Sequence, residues 1–502
     1  MKKFTSIMFG ALLALSVTAA SVAQDAPRGP RERGDRPQGQ RRAQGDRPQG
    51  ERPQGQRPQG QRPQGERPNF EPLNLKPTLF ANLGDECYTP DGMTVNDVTG
   101  KLYLNVPNFG RMDDKLVKAD SAQGGYLYEI DENGKATRVL EYPVLERTGQ
   151  AGPMGMDFGP DGNLYVCDNQ YFHNKDFCSR ILRVIFKDGK PTDEVQVVVE
   201  GVKLANGMAW YEDKMFYTDS CFDVDSDEAN GILGSGGVFM FTLDELSKAG
   251  TDGAKPITIK AGPQDSHCVA YVKVAKVGRG DNTGPDGICV DKNGVVWFGL
   301  FGNGNMYALR PNDAGEYKQE NVEQVFDSAN QRVREQGPNA GVKLECCDGI
   351  FYDKDLDCVY IDDSVGNAVW VFKPVDKGQT IRPVILWTND DNDGNEGLLD
   401  QPCEAVVYAG KLLMVNFDWP FPGMKNKAVD PPGTISGIDY AEVTKFVNRL
   451  NAFRGPREGG RPDGDQQRGF NRERRGGDRP QGDRPQGDRP RGNRPQGARP
   501  NN

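Results

Sequence analysis

Apolar residues in the middle of the chain come in short runs separated by polar turns, and long helical stripes are scarce. In the stretch Gly284–Gly304, Ile288-Cys289-Val290 and Val295–Phe298 flank the turn Lys292-Asn293-Gly294. An Asn-Gly between two apolar runs predicts a β-hairpin. Just ahead of the first run stands Asp286, followed by Gly287. The layout recurs at Pro90–Val95 with Lys101–Val106, Gly152–Asp157 with Asn163–Cys167, and Ala205–Trp210 with Lys214–Asp219. It returns at Cys347–Tyr352 with Cys358–Asp362 and at Pro402–Val407 with Lys411–Asn416.

Further strand-like runs follow the hairpins, among them Gly125–Ile130, Ser179–Phe186, Gly237–Phe241, Asn305–Leu309 and Ala368–Phe372. Spread over six units, the core gives about 64 residues each, which leaves room for long connecting loops. The pattern predicts an all-β chain folded as a six-bladed β-propeller, because radial packing covers edges that an open sheet would expose. A single long sandwich is the alternative, and six similar starting motifs argue against it. Leu73–Leu83 is expected to supply the outer strand that closes the ring, and Asp439–Leu450 is the best helix.

Composition divides the chain into four parts. Residues 1–23 form a signal-like segment: Lys2 and Lys3, the apolar run Ile7–Val17, then Ser21-Val22-Ala23. The mature chain is expected to be exported, periplasmic or secreted, with no transmembrane segment. Residues 24–68 and 455–502 carry five-residue RPQGx repeats. So little apolar surface cannot offset chain entropy, so disordered tails are expected. This low complexity explains much of the mean hydropathy of −0.69. The core, residues 69–454, holds 37 basic and 59 acidic residues, against 25 basic and 13 acidic in the flanks. The basic tails suit contact with anionic polymers or an envelope surface, or simply solvent. Nothing points to specific nucleic-acid binding. All ten cysteines lie in the core. Cys167 with Cys178, and Cys358 with Cys346 or Cys347, are local pairing candidates, and small buried apolar thiols are the other reading. The spacings exclude paired C-x-x-C zinc sites.

First strands of propeller blades line the central channel, so residues ahead of each hairpin converge there. These are Asp91, Asn206, Asp286, Asp348 and Glu404, while Pro153-Met154 leaves the second unit without an acid or amide. Acids this close would repel one another unless a hard cation with oxygen ligands sat between them. Turn capping by Asp and Asn is the alternative at any single copy.

The motifs Ala205–Trp210 with Phe216–Ser220, and Pro285–Asp291 with Val296-Trp297 and Gly302-Asn303-Gly304, resemble the senescence marker protein, gluconolactonase and luciferin-regenerating enzyme family. The resemblance implies a six-bladed propeller with a divalent cation, Ca²⁺ first and Zn²⁺, Mn²⁺ or Mg²⁺ as options. It gives Asn206 and Asp286 as ligands. Asp91 takes a place where the family has the longer Glu. The family's second-blade Asn has no counterpart, and Asp348 and Glu404 stand as possible further ligands. The implied activity is opening of a lactone or related ester, with Asp286 as ligand and base and Asp348 as second choice for base. The rival expectation is a non-catalytic exported scaffold tethered by its tails.

Other features are secondary. His173 and His267, the latter in a long loop of the fourth unit, are expected to be surface residues or local hydrogen-bond partners. No G-x-S-x-G elbow, haem motif or nucleotide-binding loop occurs. Asp223–Glu228 and Asn389–Asp400 are acidic loops, the second similar to a degraded EF-hand, and solvated loops are the expected reading of both. Phe109, Tyr171, Phe172, Phe222, Phe301, Phe417, Trp419 and Phe421 follow second strands or enter loops, where some could rim a substrate site.

Overall fold

The structure, a computed structural model, describes residues 72–453 apart from 110–123, 173–176, 223–231, 252, 276–283, 334, 336–338 and 422. The signal-like segment, both repeat tails, His173 and the acidic run Asp223–Glu228 lie outside the described residues.

Each hairpin motif opens an antiparallel sheet whose strands follow chain order from the axis outward. Blade 1 is Met93–Val95, Leu102–Val106, Tyr126–Ile130 and Ala136–Glu141. Blade 2 is Pro153–Phe158, Leu164–Asp168, Ser179–Lys187 and Lys190–Val202, with Ile257–Thr258 added in parallel at its edge. Blade 3 is Ala205–Tyr211, Lys214–Phe222, Ile232–Thr242 and Cys268–Ala275. Blade 4 is Pro285–Val290, Val296–Leu300, Met306–Leu309 and Val322–Phe326. Blade 5 is Ile350–Asp353, Cys358–Asp363, Ala368–Phe372 and Val384–Thr388. Blade 6 takes Pro402–Tyr408, Lys411–Asn416 and Thr434–Asp439 from the end of the core and Thr78–Asn82 from its beginning. The six-bladed propeller is therefore the fold, and the expected closing strand is in place.

Blade stacking explains the apolar runs. Leu102–Val106 and Val296–Leu300 are buried along their whole length because neighbouring blades cover both faces. The outer strand Ala136–Glu141 is mostly open to solvent and carries Arg138 and Glu141. Aromatic pairs stitch successive blades: Tyr103 with Phe158, Tyr165 with Trp210, Phe216 with Tyr317, and Trp297 with Phe372, at 5.6, 5.0, 4.9 and 5.5 Å between centroids. Such contacts add about 1 kcal/mol each beyond area burial.

The predicted C-terminal helix runs Tyr440–Phe453. Asp439 caps it by accepting from the Ala441 and Glu442 amides. Val443 and Val447 pack on Leu412, Met414 and Ile438 of blade 6. Among the described residues no helix is long and apolar enough to cross a membrane. Cys167 and Cys358 carry free thiols, so neither local disulfide forms. Cys167 instead points its Sγ at the Gly207 carbonyl, 3.7 Å away in the next blade.

Candidate functional site

The channel is built by a contact that repeats from blade to blade. The glycine after each channel residue lies flat against the backbone of the next inner strand. A Cβ on Gly92 would meet the Met154 carbonyl oxygen at 2.4 Å, and one on Gly207 the Asp286 carbonyl oxygen at 2.5 Å. Only glycine allows this approach. It fixes the residue before it, so Asp91, Met154, Asn206, Asp286 and Asp348 are held in a ring.

The sixth member is Cys403, not Glu404. Pro153, Ala205, Pro285 and Pro402 occupy one register, paired with Asp168, Asp219, Leu300 and Asn416. The residue after each is the channel position, which in blade 6 is Cys403. Its Sγ lies 3.5 Å from the Pro90 carbonyl oxygen, across the closure of the ring. Glu404 falls where other blades have glycine.

Asp91, Met154, Asn206, Asp286, Asp348 and Gln401 line a cavity of about 310 Å³, including its open mouth, together with Phe172, Phe301, Phe417 and Phe421. Four of the expected rim aromatics are thus here. Phe109 and Trp419 extend them, with Phe172 and Trp419 centroids 5.2 Å apart and Trp419 and Phe421 5.4 Å apart. Glu404 does not line this cavity. Its carboxyl is raised well above the usual range by burial and by Asp362, then Asp91.

At the cavity floor Asp286 is 3% exposed and Asn206 5%. Burial, then the Asp91 carboxylate, hold the Asp286 carboxyl well above the ordinary carboxylate range, against a hydrogen bond from Asn206 that lowers it. Burial raises Asp91 to about 7. Asp348 is raised by burial, then by Asp286 and Asp91, while Ser364 hydrogen-bonds it. Ser220 does the equivalent work in blade 3: it accepts from Asn206 Nδ2 at 3.4 Å and donates to the Pro285 carbonyl at 2.6 Å.

Ser220 closes the motif Phe216–Ser220, whereas Asp362, Gln401 and Ser364 carry no signal that marks them as site residues. Asp362 sits where Asn105 and Thr218 donate to the next blade's inner strand, Asn105 Nδ2 to Met154 O at 2.6 Å and Thr218 Oγ1 to Asp286 O at 2.7 Å. Both carboxyl oxygens of Asp362 are buried without a hydrogen-bond partner among the described residues. Burial and Asp363 raise its carboxyl. His267 is remote from the ring. It belongs to blade 3, not the fourth unit, stacks on Phe241 at 4.3 Å and pairs with Asp265 at 2.8 Å.

The charges acting on Asp286, Asp348 and Glu404 are other carboxylates, and no lysine or arginine among the described residues offsets them. In kind, these hard oxygen donors and one amide suit a divalent cation. In position, among the described residues no three Asp, Glu, His or Cys side chains converge closely enough to hold an ion by themselves. An ion here would rely on the Asn206 amide and water as well.

Residues 108–321 match the model of the SMP-30/Gluconolactonase/LRE-like region. The match includes Asn206 and Asp286 and leaves Asp91, Asp348 and Glu404 outside it. No curated protein matches the chain by sequence. Among solved structures, the chain is similar to a PQQ-bound aldose sugar dehydrogenase from Streptomyces coelicolor, 14% identical over 73% of this chain and 99% of that one, TM-score 0.44. It is similar to a gluconolactonase from Xanthomonas campestris, 12% identical over 74% and 99%, TM-score 0.38. It is also similar to a luciferin-regenerating enzyme, 11% identical over 72% and 94%, TM-score 0.43. Likenesses this distant carry no argument about chemistry.

Proposed function

We propose, from the SMP-30/Gluconolactonase/LRE-like region that this propeller carries, that the channel opens a lactone or related ester with the help of a divalent cation. The observation that carries the reading is the pairing of buried Asn206 and Asp286 in the lining of one aromatic-walled cavity. Asp91, Asn206 and Asp286 would hold the ion, with Asp348 near enough to share its charge, and Ca²⁺ suits such donors best. When bound, the ion supplies polarisation of the ester carbonyl and stabilisation of the oxyanion.

The chain's own residues do the rest. Asp286 would take the proton of the attacking water, a role open to a carboxylate on the cavity floor beside Asn206. Asn206, fixed by Ser220, orients that carboxylate. Phe172, Phe301, Phe417 and Phe421 give the ring of a small substrate apolar walls and thin out competing water. Met154 adds an apolar face where an amide would have read a sugar hydroxyl, so the reading favours lactones with fewer hydroxyls. The signal-like composition of residues 1–23 supports a reading in which this activity works in the periplasm or medium.

The test is a panel of sugar lactones, alkyl lactones and aryl esters, offered to purified protein with Ca²⁺, Zn²⁺, Mn²⁺ or Mg²⁺. Turnover that a chelator abolishes supports the reading. No turnover with any pair leaves the scaffold reading, in which the same cavity only binds.

A further inference from the structure

The acidic loop before blade 6 behaves differently from a solvated loop. Asn389–Asp400 joins the outer strand of blade 5 to the inner strand of blade 6, and Asp400, its last residue, is 2% exposed. Its Oδ1 is buried with no hydrogen-bond partner among the described residues. A buried carboxylate oxygen left this way is strongly disfavoured unless protonated or ligated.

Other carboxylates surround it. Gly394, at a φ of +65°, brings the loop backbone next to Asp393 back onto Asp400, where a Cβ on the glycine would stand 3.5 Å from Asp400 Oδ2. Asp391 Oδ1 accepts from the Lys427 amide at 3.1 Å, tying this loop to the one between the second and third strands of blade 6. In that second loop Asp418 accepts from Asn426 Nδ2 at 3.1 Å and from the Asp430 amide at 2.7 Å, so Asp418 and Asp430 are held together. Burial, then Asp418, Asp430, Asp391 and Asp393, raise the Asp400 carboxyl to about 9. The second loop's lysines aim their ammonium groups elsewhere: Lys425 at Thr388 Oγ1 and the Asn389 carbonyl, Lys427 at the Met424 carbonyl.

We propose that these two loops form a calcium site separate from the channel, with Asp400 Oδ1 as its buried ligand and carboxylates drawn from Asp391, Asp393, Asp418 and Asp430. It is not an EF-hand. Asn389 binds Leu399 through both ends of its amide, and Asn392 donates to the Leu399 carbonyl while its Oδ1 accepts from the Gly394 amide, so both side chains serve the loop's own fold. Among the described residues no three acids enclose an ion as they stand, so binding draws the exposed Asp391 and Asp393 inward over Asp400. Ca²⁺ tolerates the irregular coordination this gives, whereas Mg²⁺ demands a near-octahedral cage.

The site would brace the channel mouth. Gln401, next to Asp400, lines the cavity and accepts from the Trp419 amide at 2.5 Å, and Asp418 lies between Phe417 and Trp419. A bound ion would therefore lock one side of the aromatic rim.

The experiment is a count of Ca²⁺ bound per chain, by equilibrium dialysis and calorimetry on the full-length protein, with thermal unfolding in parallel. The expected result is that Asp400→Asn binds one ion fewer than wild type and loses most of the Ca²⁺-induced rise in Tm. Asp286→Asn should leave this ion in place. Asp391→Asn with Asp393→Asn, both at the surface, should weaken the same ion about tenfold or more, and this pair decides the matter if Asp400→Asn fails to fold. Equal ion counts and affinities in wild type and these variants would overturn the proposal.

Discussion

Gly287 shows how the channel depends on missing side chains. A Cβ there would lie 1.9 Å from the Asp348 carbonyl oxygen, and neither backbone can retreat without moving a whole blade. Gly287→Ala should cost about 3 kcal/mol, read as a fall in the urea midpoint. The same packing rule shows why the ring position stands out in the sequence of five blades and slips by one in the sixth. In blades 1 to 5 the glycine marks the channel position in the sequence itself. Pro402-Cys403-Glu404-Ala405 has no glycine, so the acid catches the eye and the register slips by one. The proline ahead of Asp91, Met154 and Asp286 recurs ahead of Cys403, and that signal identifies the equivalent residue. Asp362 was illegible for a different reason: its burial comes from blade 6 packing on blade 5, which no local pattern encodes.

Among the elements, the hairpins and the helix followed from alternation and turn chemistry because their partners are close in sequence. The ring closure is non-local, yet Leu73–Leu83 could be nominated since a propeller leaves one outer strand to be supplied. Thr78–Asn82 pairs with Thr434–Asp439, and Phe80 packs on Tyr408 at 6.3 Å. A chain beginning at Leu83 should therefore melt about 10 °C or more below one beginning at Leu73, measured by calorimetry. Equal melting temperatures would mean that the strand does not latch the ring. The long loop Asn389–Asp400 was read as solvated because its composition is that of a solvated loop. Only the fold brings Asp418 and Asp430 against it.

The molecule as a whole carries more buried acid than its cations offset. Asp219 and Asp363 are fully buried and raised by burial to about 6 and about 7, from 3.8. Asp91 is likewise raised to about 7. A carboxyl whose folded pKa exceeds its unfolded one keeps its proton longer in the folded state. The stability it contributes is full below about pH 4 and is lost as pH rises through 6 to 7. In chelator, Tm should fall between pH 5 and pH 8, and Ca²⁺ should lessen that fall by taking the place of protons among the acids. A Tm that rises over this range in chelator would contradict the electrostatic account.

The central claim is that Asp286 moves a proton on the channel floor, and one comparison tests it most directly. Wild type and Asp286→Asn are assayed with Ca²⁺ on the best lactone of the panel, after matched thermal melts establish that both are folded. The expected result is a loss in kcat of about a thousandfold in the variant. A folded Asp286→Asn protein that turns over as fast as wild type would contradict it.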